Sequence, residues 1–366
     1  GEADEHLDEL AALVDTAGAA AVGRAVQARS APDPKTFLGR GKAETIAAEL
    51  VRLGADLVVV DDDLSGSQAK NLAEVVKAEV LDRSGLILRI FEQRAKSAEA
   101  RTQVELARAR YELPRLTRLW GHLSRQAGGI GVRGGEGESQ LEADRRMLRR
   151  RIAQLSRDLE RIERMRKVQR EGRRGVPVVA LAGYTNAGKS TLFNRLTRDG
   201  TLAEDRLFAT LDSKLRRGRL LPKGPVVVFA DTVGFIRKLP HHLVASFRST
   251  LEEVVAADLV LHVVDRSHPG WEDQQRVAEE VMSELGVESD RILTVFNKID
   301  RVSGPAAVPP EAIAVSAAKG DGIEALRAAI TRRLPVDYAP RPAGERADDT
   351  EPAASADEPE EAPSLR

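Results

Sequence analysis

Nine residues, GYTNAGKST from Gly183 to Thr191, satisfy the spacing G-x-x-x-x-G-K-[ST]. An apolar run, VPVVALA, precedes them and a helical pattern follows, the setting in which such a loop wraps phosphates. Backbone N–H groups from Gly183, Tyr184, Thr185, Asn186, Ala187 and Gly188 are expected to face phosphate oxygens, and the following helix adds positive potential at its N-terminus. Lys189 would neutralise β- and γ-phosphate charge, Ser190 would offer its hydroxyl to Mg²⁺, and Thr191 completes the motif.

Three further motifs fit the same chemistry. NKID, Asn297 to Asp300, ends the apolar run ILTVF about 110 residues after the phosphate loop. The Asp300 carboxylate can accept from ring N1–H and the exocyclic amine of guanine. Adenine has no such amine and would leave the carboxylate unpaired, so Asn297, Lys298 and Asp300 select GTP over ATP. SAAKG follows AIAV and brings Ser316, Ala317, Ala318 and Lys319 to the base. DTVG supplies Asp231, Thr232, Val233 and Gly234: the carboxylate reaches Mg²⁺ through water and the Gly234 N–H meets the γ-phosphate. Thr210, in LFATLD, stands between these motifs, where a switch threonine closes on Mg²⁺ and γ-phosphate. The chemistry is phosphoanhydride hydrolysis, with Lys189, Thr210 and Gly234 as its catalytic groups and Ser190, Thr210 and Asp231 holding the metal. The position after Gly234 ordinarily orients the attacking water; here it is Phe235, which has no hydrogen-bonding side chain.

The bulk numbers are compatible with this. The 366 residues suggest two or three domains. No run of about 18 apolar residues reads as a membrane span, and the acidic opening GEADEHLDEL is not a signal peptide. The sequence starts at Gly1 instead of Met, which implies a short preceding piece. With no cysteines, disulfides, thiolate metal sites and Cys nucleophiles are excluded, and a cytoplasmic location fits. The six histidines lack metal-ligand spacing, and His241-His242 reads as a solvated loop. The net charge of −1 conceals an asymmetry: Arg145 to Arg174 holds thirteen Lys/Arg against four Asp/Glu, whereas Glu345 to Arg366 holds eight acids against two bases.

The patterning predicts an α/β multidomain chain. Residues 1–90 read as a small α/β domain. Strands are expected at AAAVGRAVQ and ADLVVVDD, helices at KAETIAAELVRLG and after Ser65, and VLDRSGLIL closes the pattern. Residues 91–172 read as an antiparallel helical hairpin. Its first helix runs from about Ile90 to Arg125 with a break at Pro114, and its tip is the glycine-rich stretch 128–137. Its second helix carries a seam of Leu141, Leu148, Ile152, Leu155, Leu159 and Ile162. Residues 176–335 read as a P-loop domain with a doubly wound, mostly parallel sheet, and 336–366 as a disordered acidic tail. Arg125, Gly128, Gly129, Arg133, Arg145, Arg146 and Arg149 gather at and just after the tip, a composition suited to RNA phosphates. GRGK, Gly39 to Lys42, is half a phosphate loop and lacks the rest of the motif.

The ordered motifs define a TRAFAC-type GTPase, and the chain up to about residue 335 resembles the HflX family of ribosome-associated bacterial GTPases. The residues that carry the resemblance are FLGRGKAETI, DDDLSGSQAKNLAE, VLDRSGLIL with IFEQRA, TQVELARARYELPRL, LSRQAGGIGVRGGEGESQLEADRR and DTVGFIRKLPHHLVASFRSTLEE. The chain departs from the family pattern at Glu136, where proline is usual, and at Ser213 to Arg217, SKLRR where PTTRR is usual. The resemblance implies a GTP-dependent factor that binds ribosomal RNA of the large ribosomal subunit and splits stalled or idle ribosomes, with the hairpin tip toward the peptidyl-transferase region. It also implies that Asn186 ligates K⁺ near the phosphates. Phe235 implies slow hydrolysis by the lone protein, completed by the ribosome. An assembly or anti-association factor fits the same motifs, and ATP-dependent RNA remodelling through the N-terminal part is the remaining alternative. A hairpin that satisfies its own seam is expected to be a monomer.

Overall fold

The computed structural model describes residues 2–116, 136–171, 175–197, 207–221, 226–238, 248–302, 304 and 308–334. The chain opens with helix α1 (Glu2–Thr16), which was not among the expected elements and which buries Leu10, Leu13 and Val14 on one face. The expected strand AAAVGRAVQ is not formed. Residues 19–27 lie in no sheet, and Val22 and Val26 are exposed. An apolar run becomes a strand only where a neighbour takes its N–H and C=O groups, and here Gln27 instead accepts from the Gly39 N–H at 2.9 Å through its side chain.

Helix α2 (Arg40–Leu53) ends at the left-handed Gly54, as expected. Strand β1 (Leu57–Val60), helix α3 (Gly66–Val76) and strand β2 (Glu79–Asp82) form a right-sized βαβ unit, with β1 and β2 parallel from Leu57 opposite Glu79 to Val60 opposite Asp82. Ser65 and Gln68 close a capping box on α3. VLDRSGLIL divides at Asp82, which ends β2 and caps helix α4 (Arg83–Arg94) by accepting from the Gly85 N–H.

The single long helix expected from Ile90 is two helices. Helix α4 stops at Arg94, and helix α5 (Ala98–Glu112) restarts under a Ser97 cap. The Ser97 side chain gives the Ala100 N–H, in the first turn of the new helix, a local partner, which lets the direction change at low cost. Helix α5 ends just before Pro114, and Arg115 then folds back over the Tyr111 ring, 3.5 Å from its centroid, to pair with the buried Asp82. Helix α6 (Glu136–Glu171) returns antiparallel to α5. Leu106 packs on Leu155 and Leu159, with Ile152 and Ile162 beside them, while Glu99 pairs with Arg166 at 2.7 Å and Glu105 with Arg151. The seam expected from the heptads is thus the buried side of α6 at these positions. Glu136 is the first residue of the helix, a position where proline and acids are both favourable.

The last unit is a six-stranded sheet. Its elements are β3 (Val178–Ala182), α7 (Lys189–Thr197), β4 (Lys214–Arg219), β5 (Val226–Asp231), α8 (Arg248–Val255), β6 (Leu259–Asp265), α9 (Trp271–Glu284), β7 (Ile292–Asn297), β8 (Ile313–Ala314) and α10 (Ile323–Arg333). The spatial order is β4-β5-β3-β6-β7-β8, parallel except for β4 on β5. Continuous Val/Leu/Ala runs suit β3, β5 and β6, which are covered on both faces. Lys214–Arg217, within the SKLRR stretch that departs from the family pattern, lie in the edge strand β4 in fixed register from Lys214 opposite Asp231. Residues 335–366, with the acidic tail, and 117–135, with most of the glycine-rich tip, lie outside the described residues, as do His241-His242.

His262, at the centre of β6, is buried with neither ring nitrogen hydrogen-bonded, and Glu279 is 3.9 Å from Nδ1. Burial, then the nearby Lys189 charge, pushes its pKa down from 6.5 to about 4. The unfolded chain therefore takes up this proton first. Its contribution is intact above pH 6.5 and is lost as pH falls from 6.5 toward 4. Replacing His262 by Leu should remove on the order of 3 kcal/mol of the stability lost across that window, read by urea unfolding at several pH values.

Candidate functional site

The site lies at the carboxyl ends of the parallel strands, where the chain leaves β3 in the middle of the sheet for α7. Asn186 takes a left-handed conformation, φ +61°. Gly188 does so at φ +88°, and a Cβ there would lie 2.3 Å from the Asn297 side-chain nitrogen. Only glycine lets the loop run this close to the end of β7. Asn297 explains the proximity: its amide donates to the Ala187 carbonyl at 2.9 Å and its oxygen accepts from the Ala317 N–H at 3.0 Å. It ties the phosphate loop to SAAKG, so its work here is internal.

Lys189 is buried. Its ammonium donates to the carbonyls of Gly183 at 3.1 Å and Tyr184 at 2.7 Å. Burial, aided by the charge of Lys298, pushes its pKa down to about 8, while Asp231 opposes the shift. A cation held under these conditions gains from an approaching phosphate.

Ser190, Thr210 and Asp231 converge. Asp231 Oδ2 accepts from Ser190 Oγ at 2.8 Å and from Thr210 Oγ1 at 2.9 Å, and the two hydroxyls are 2.8 Å apart. Asp231 Oδ1 is buried with no hydrogen-bond partner, and burial raises the carboxyl pKa. One carboxylate with two hydroxyls, one oxygen of it unsatisfied, fits a hard cation that keeps water and phosphate in its remaining positions. Among the described residues no group of three His, Cys, Asp or Glu gathers.

Gly234 closes the site from the other side. A Cβ there would lie 2.8 Å from Thr185 Cα and 2.9 Å from Lys189 Nζ, so the switch backbone touches the phosphate loop only because this residue is glycine. The next residue extends the contact: Phe235 N–H donates to the Gly183 carbonyl at 3.0 Å, and its carbonyl accepts from the Thr185 N–H at 2.7 Å. The Phe235 ring is 1% exposed and packs in an apolar cluster with Phe208, Ile236 and residues of α4. It is part of the core.

At the base end, the Ser316 hydroxyl donates to Asp300 at 2.7 Å and accepts from the Lys319 N–H at 3.1 Å. That hydrogen bond, chiefly, holds the Asp300 carboxyl below its ordinary range, ready to accept. Lys298, at φ +60°, pairs with Asp265 at 2.8 Å.

A single cleft is lined by Thr185, Asn186, Gly188, Lys189, Ser190, Thr191, Thr210, Thr232, Gly234, Asn297, Lys298, Asp300, Ala317 and Ala318. Gly183, Tyr184, Ala187, Asp231, Val233, Ser316 and Lys319 do not line it: Tyr184 turns its hydroxyl to Glu9, and Lys319 is exposed. Phe208, Ala209 and Arg301 also line the cleft and were not anticipated. Phe208 is next to Ala209 in LFATLD, and Arg301 follows Asp300, so proximity to the named motifs was the available signal. Of the RNA candidates, Arg145, Arg146 and Arg149 are not brought to this cleft. Arg146 and Arg149 are exposed and Arg145 half-buried on α6, and Arg125, Gly128, Gly129 and Arg133 lie outside the described residues. Gly39 to Lys42 begins α2, and the Gly39 N–H is already taken by Gln27.

Residues 4–92 match a family described as GTP-binding GTPase N-terminal, 94–173 one described as GTP-binding GTPase Middle Region, and 178–298 one described as 50S ribosome-binding GTPase. GTPase HflX of Magnetococcus marinus is 48% identical over 335 residues, 90% of this chain and 77% of that protein. GTPase HflX of Escherichia coli is 46% identical over 339 residues, 90% of this chain and 79% of that protein. A GTP-binding protein of Sulfolobus solfataricus, solved in complex with GDP, is 26% identical over 90% of this chain and 95% of that one, with a TM-score of 0.47, too loose a superposition to argue from.

Two substitutions test the geometry. Ser190→Ala should remove magnesium-dependent tightening of GTP binding, measured by fluorescent-nucleotide titration with and without Mg²⁺. Asp300→Asn replaces an acceptor by a donor and should invert the preference from guanine to xanthine nucleotides by at least about a hundredfold, as competition binding would show.

Proposed function

The chain belongs to the HflX family of GTPases, and from that premise we propose that it is a ribosome-associated GTPase whose nucleotide cycle governs binding to the large ribosomal subunit and the splitting of stalled or idle ribosomes. The observation that carries this reading is the coexistence of a complete guanine-nucleotide cleft with a long, strongly basic helix, α6, in one chain. The organisation we propose is a division of labour among residues 1–90, the hairpin 91–172 and the nucleotide-binding residues 176–335, with 336–366 as a tail.

In the proposed reaction Lys189 offsets phosphate charge, Gly234 N–H meets the γ-phosphate, and Asp300 with Ser316 reads guanine. Ser190, Thr210 and Asp231 hold Mg²⁺, which would neutralise charge developing on the β- and γ-phosphoryl oxygens. Asn186 is assigned to a K⁺ site beside the phosphates. Phe235 contributes no water-orienting group, so hydrolysis is slow until the ribosome supplies one. The protein acts as a cytoplasmic monomer. Among the described residues no helix is long and apolar enough to cross a membrane. Arg145, Arg146 and Arg149, with Arg125, Arg133, Gly128 and Gly129 at the tip, are assigned to ribosomal RNA phosphates.

Pre-formed ribosomes incubated with the protein and a non-hydrolysable GTP analogue should lose intact particles on a sucrose gradient. Intact particles that persist while reassociation alone is blocked would instead identify an anti-association factor. Turnover should rise on adding large subunits and be faster in K⁺ than in Na⁺. The triple replacement Arg145, Arg146 and Arg149 to Ala should weaken subunit binding and flatten its salt slope by about three contacts' worth, measured by co-sedimentation from low to high KCl.

A further inference from the structure

Arg195 belongs to none of the nucleotide motifs. It lies six residues beyond Lys189 on α7, the helix into which the phosphate loop runs. It is exposed and does not line the cleft, yet both sides of its fork meet one loop. Nε donates to the Ala317 carbonyl at 3.1 Å, and Nη2 donates to the Ala318 carbonyl. A guanidinium suits this task because its donors are fixed in one plane and can hold two successive carbonyls at a set spacing.

Those two bonds decide what the loop presents on its other side. A trans peptide points its C=O and N–H in opposite directions, and no described peptide bond is cis. The Ala317 carbonyl and the Ala318 N–H share one peptide group. Drawing the carbonyl out to Arg195 turns the N–H the other way, toward the cleft that Ala317 and Ala318 line. The next peptide obeys the same rule: its carbonyl, from Ala318, goes to Arg195, and its N–H, from Lys319, points back to the Ser316 hydroxyl at 3.1 Å. The Ala317 N–H is taken by Asn297 at 3.0 Å. Among the described residues no group accepts from the Ala318 N–H, which leaves it as the loop's donor for a ligand.

We propose that Arg195 is a positioning residue for guanine recognition: its fork turns the Ala318 N–H into the cleft, where it donates to the O6 carbonyl of the base. The proposal rests on the reading of the cleft as a guanine-nucleotide site given above. Adenine carries an amine at that position and would set donor against donor. Asp300 reads the rest of the same edge, N1–H and the 2-amine, and is held separately through Ser316. The two halves of base recognition therefore fail independently.

The test compares full-chain Arg195→Ala and Arg195→Lys with the parent by calorimetric titration in Mg²⁺. The probes are GDP, inosine diphosphate, 2-aminopurine riboside diphosphate and ADP. Inosine keeps O6 and lacks the 2-amine, whereas 2-aminopurine keeps the amine and lacks O6. Alanine is favourable on an exposed helix face, so Arg195→Ala should fold, which thermal unfolding checks. Arg195→Ala should weaken GDP and inosine diphosphate alike, by about five- to tenfold, the worth of one net hydrogen bond. Binding of 2-aminopurine riboside diphosphate should stay within about twofold, because it has no O6 bond to lose. Arg195→Lys keeps the charge without the fork and should recover part of the GDP loss. Unchanged GDP affinity in Arg195→Ala overturns the proposal. So does an equal loss for GDP, inosine diphosphate and 2-aminopurine riboside diphosphate, the mark of a loop that has merely loosened. A parent that does not prefer GDP to ADP would sink the guanine reading itself. A parent that does, with its preference for GDP over the 2-aminopurine nucleotide untouched by Arg195→Ala, sinks only the role of Arg195.

Discussion

A buried ammonium group has to be kept charged at the end of the central strand, and most of the architecture serves that condition. Lys189 loses solvation on burial, and two loop carbonyls with Asp231 nearby return only part of what water would give. The remainder is available to a phosphate. Strand β3 delivers the loop from the middle of the sheet, α7 begins at the lysine itself, and Asn297 locks the loop to the end of β7. An exposed lysine would hold its proton without help and would discriminate little between phosphate and water.

The second constraint is that both switches are anchored on the N-terminal half. Asp212, two residues after Thr210, accepts from Lys96 N–H at 3.2 Å and from the Ser97 N–H and hydroxyl. The residue that begins hairpin helix α5 is thereby tied to the loop that carries Thr210. Phe208 meets Phe91 edge to face, with centroids 4.8 Å apart, at a backbone φ of +53° that a bulky residue adopts only when its surroundings enforce it. On the other switch, the Phe235 ring fills the same apolar cluster. A glutamine here would place a polar group in the apolar cluster that Phe235 shares with Phe208 and residues of α4, so the residue that looks like a lost catalytic group serves packing.

The hairpin belongs to the same system. Helix α5 is fixed at its start by the Ser97–Asp212 contact and beyond its end by Arg115 on Asp82, so it cannot turn without disturbing one unit or the other. Helix α6 packs Leu155 and Leu159 against it and leaves Arg146, Arg149, Arg157 and Arg161 on the outer face. Charge on such a face is inexpensive while solvated and becomes attractive only beside a polyanion.

The residues of the cleft were legible in the sequence because each motif performs a local task. A glycine-rich turn between strand and helix wraps phosphate, an Asp three residues past Asn reads guanine, and a heptad seam pairs helices, whatever lies elsewhere in the chain. The parallel sheet followed from apolar runs alternating with amphipathic ones. What failed was non-local. AAAVGRAVQ has a strand's composition but no neighbour, and the run from Ile90 has a helix's composition but turns where Asp212 meets Ser97. Likewise Tyr184, an unremarkable member of the phosphate loop by its pattern, proves to be a link to Glu9, 175 residues away. By itself the sequence determined the nucleotide chemistry, since that depends on residue types at short spacing. Only the tertiary structure decided how the N-terminal unit grips the switches, since burial, pairing and the direction a side chain turns depend on segments that meet only once the chain has folded.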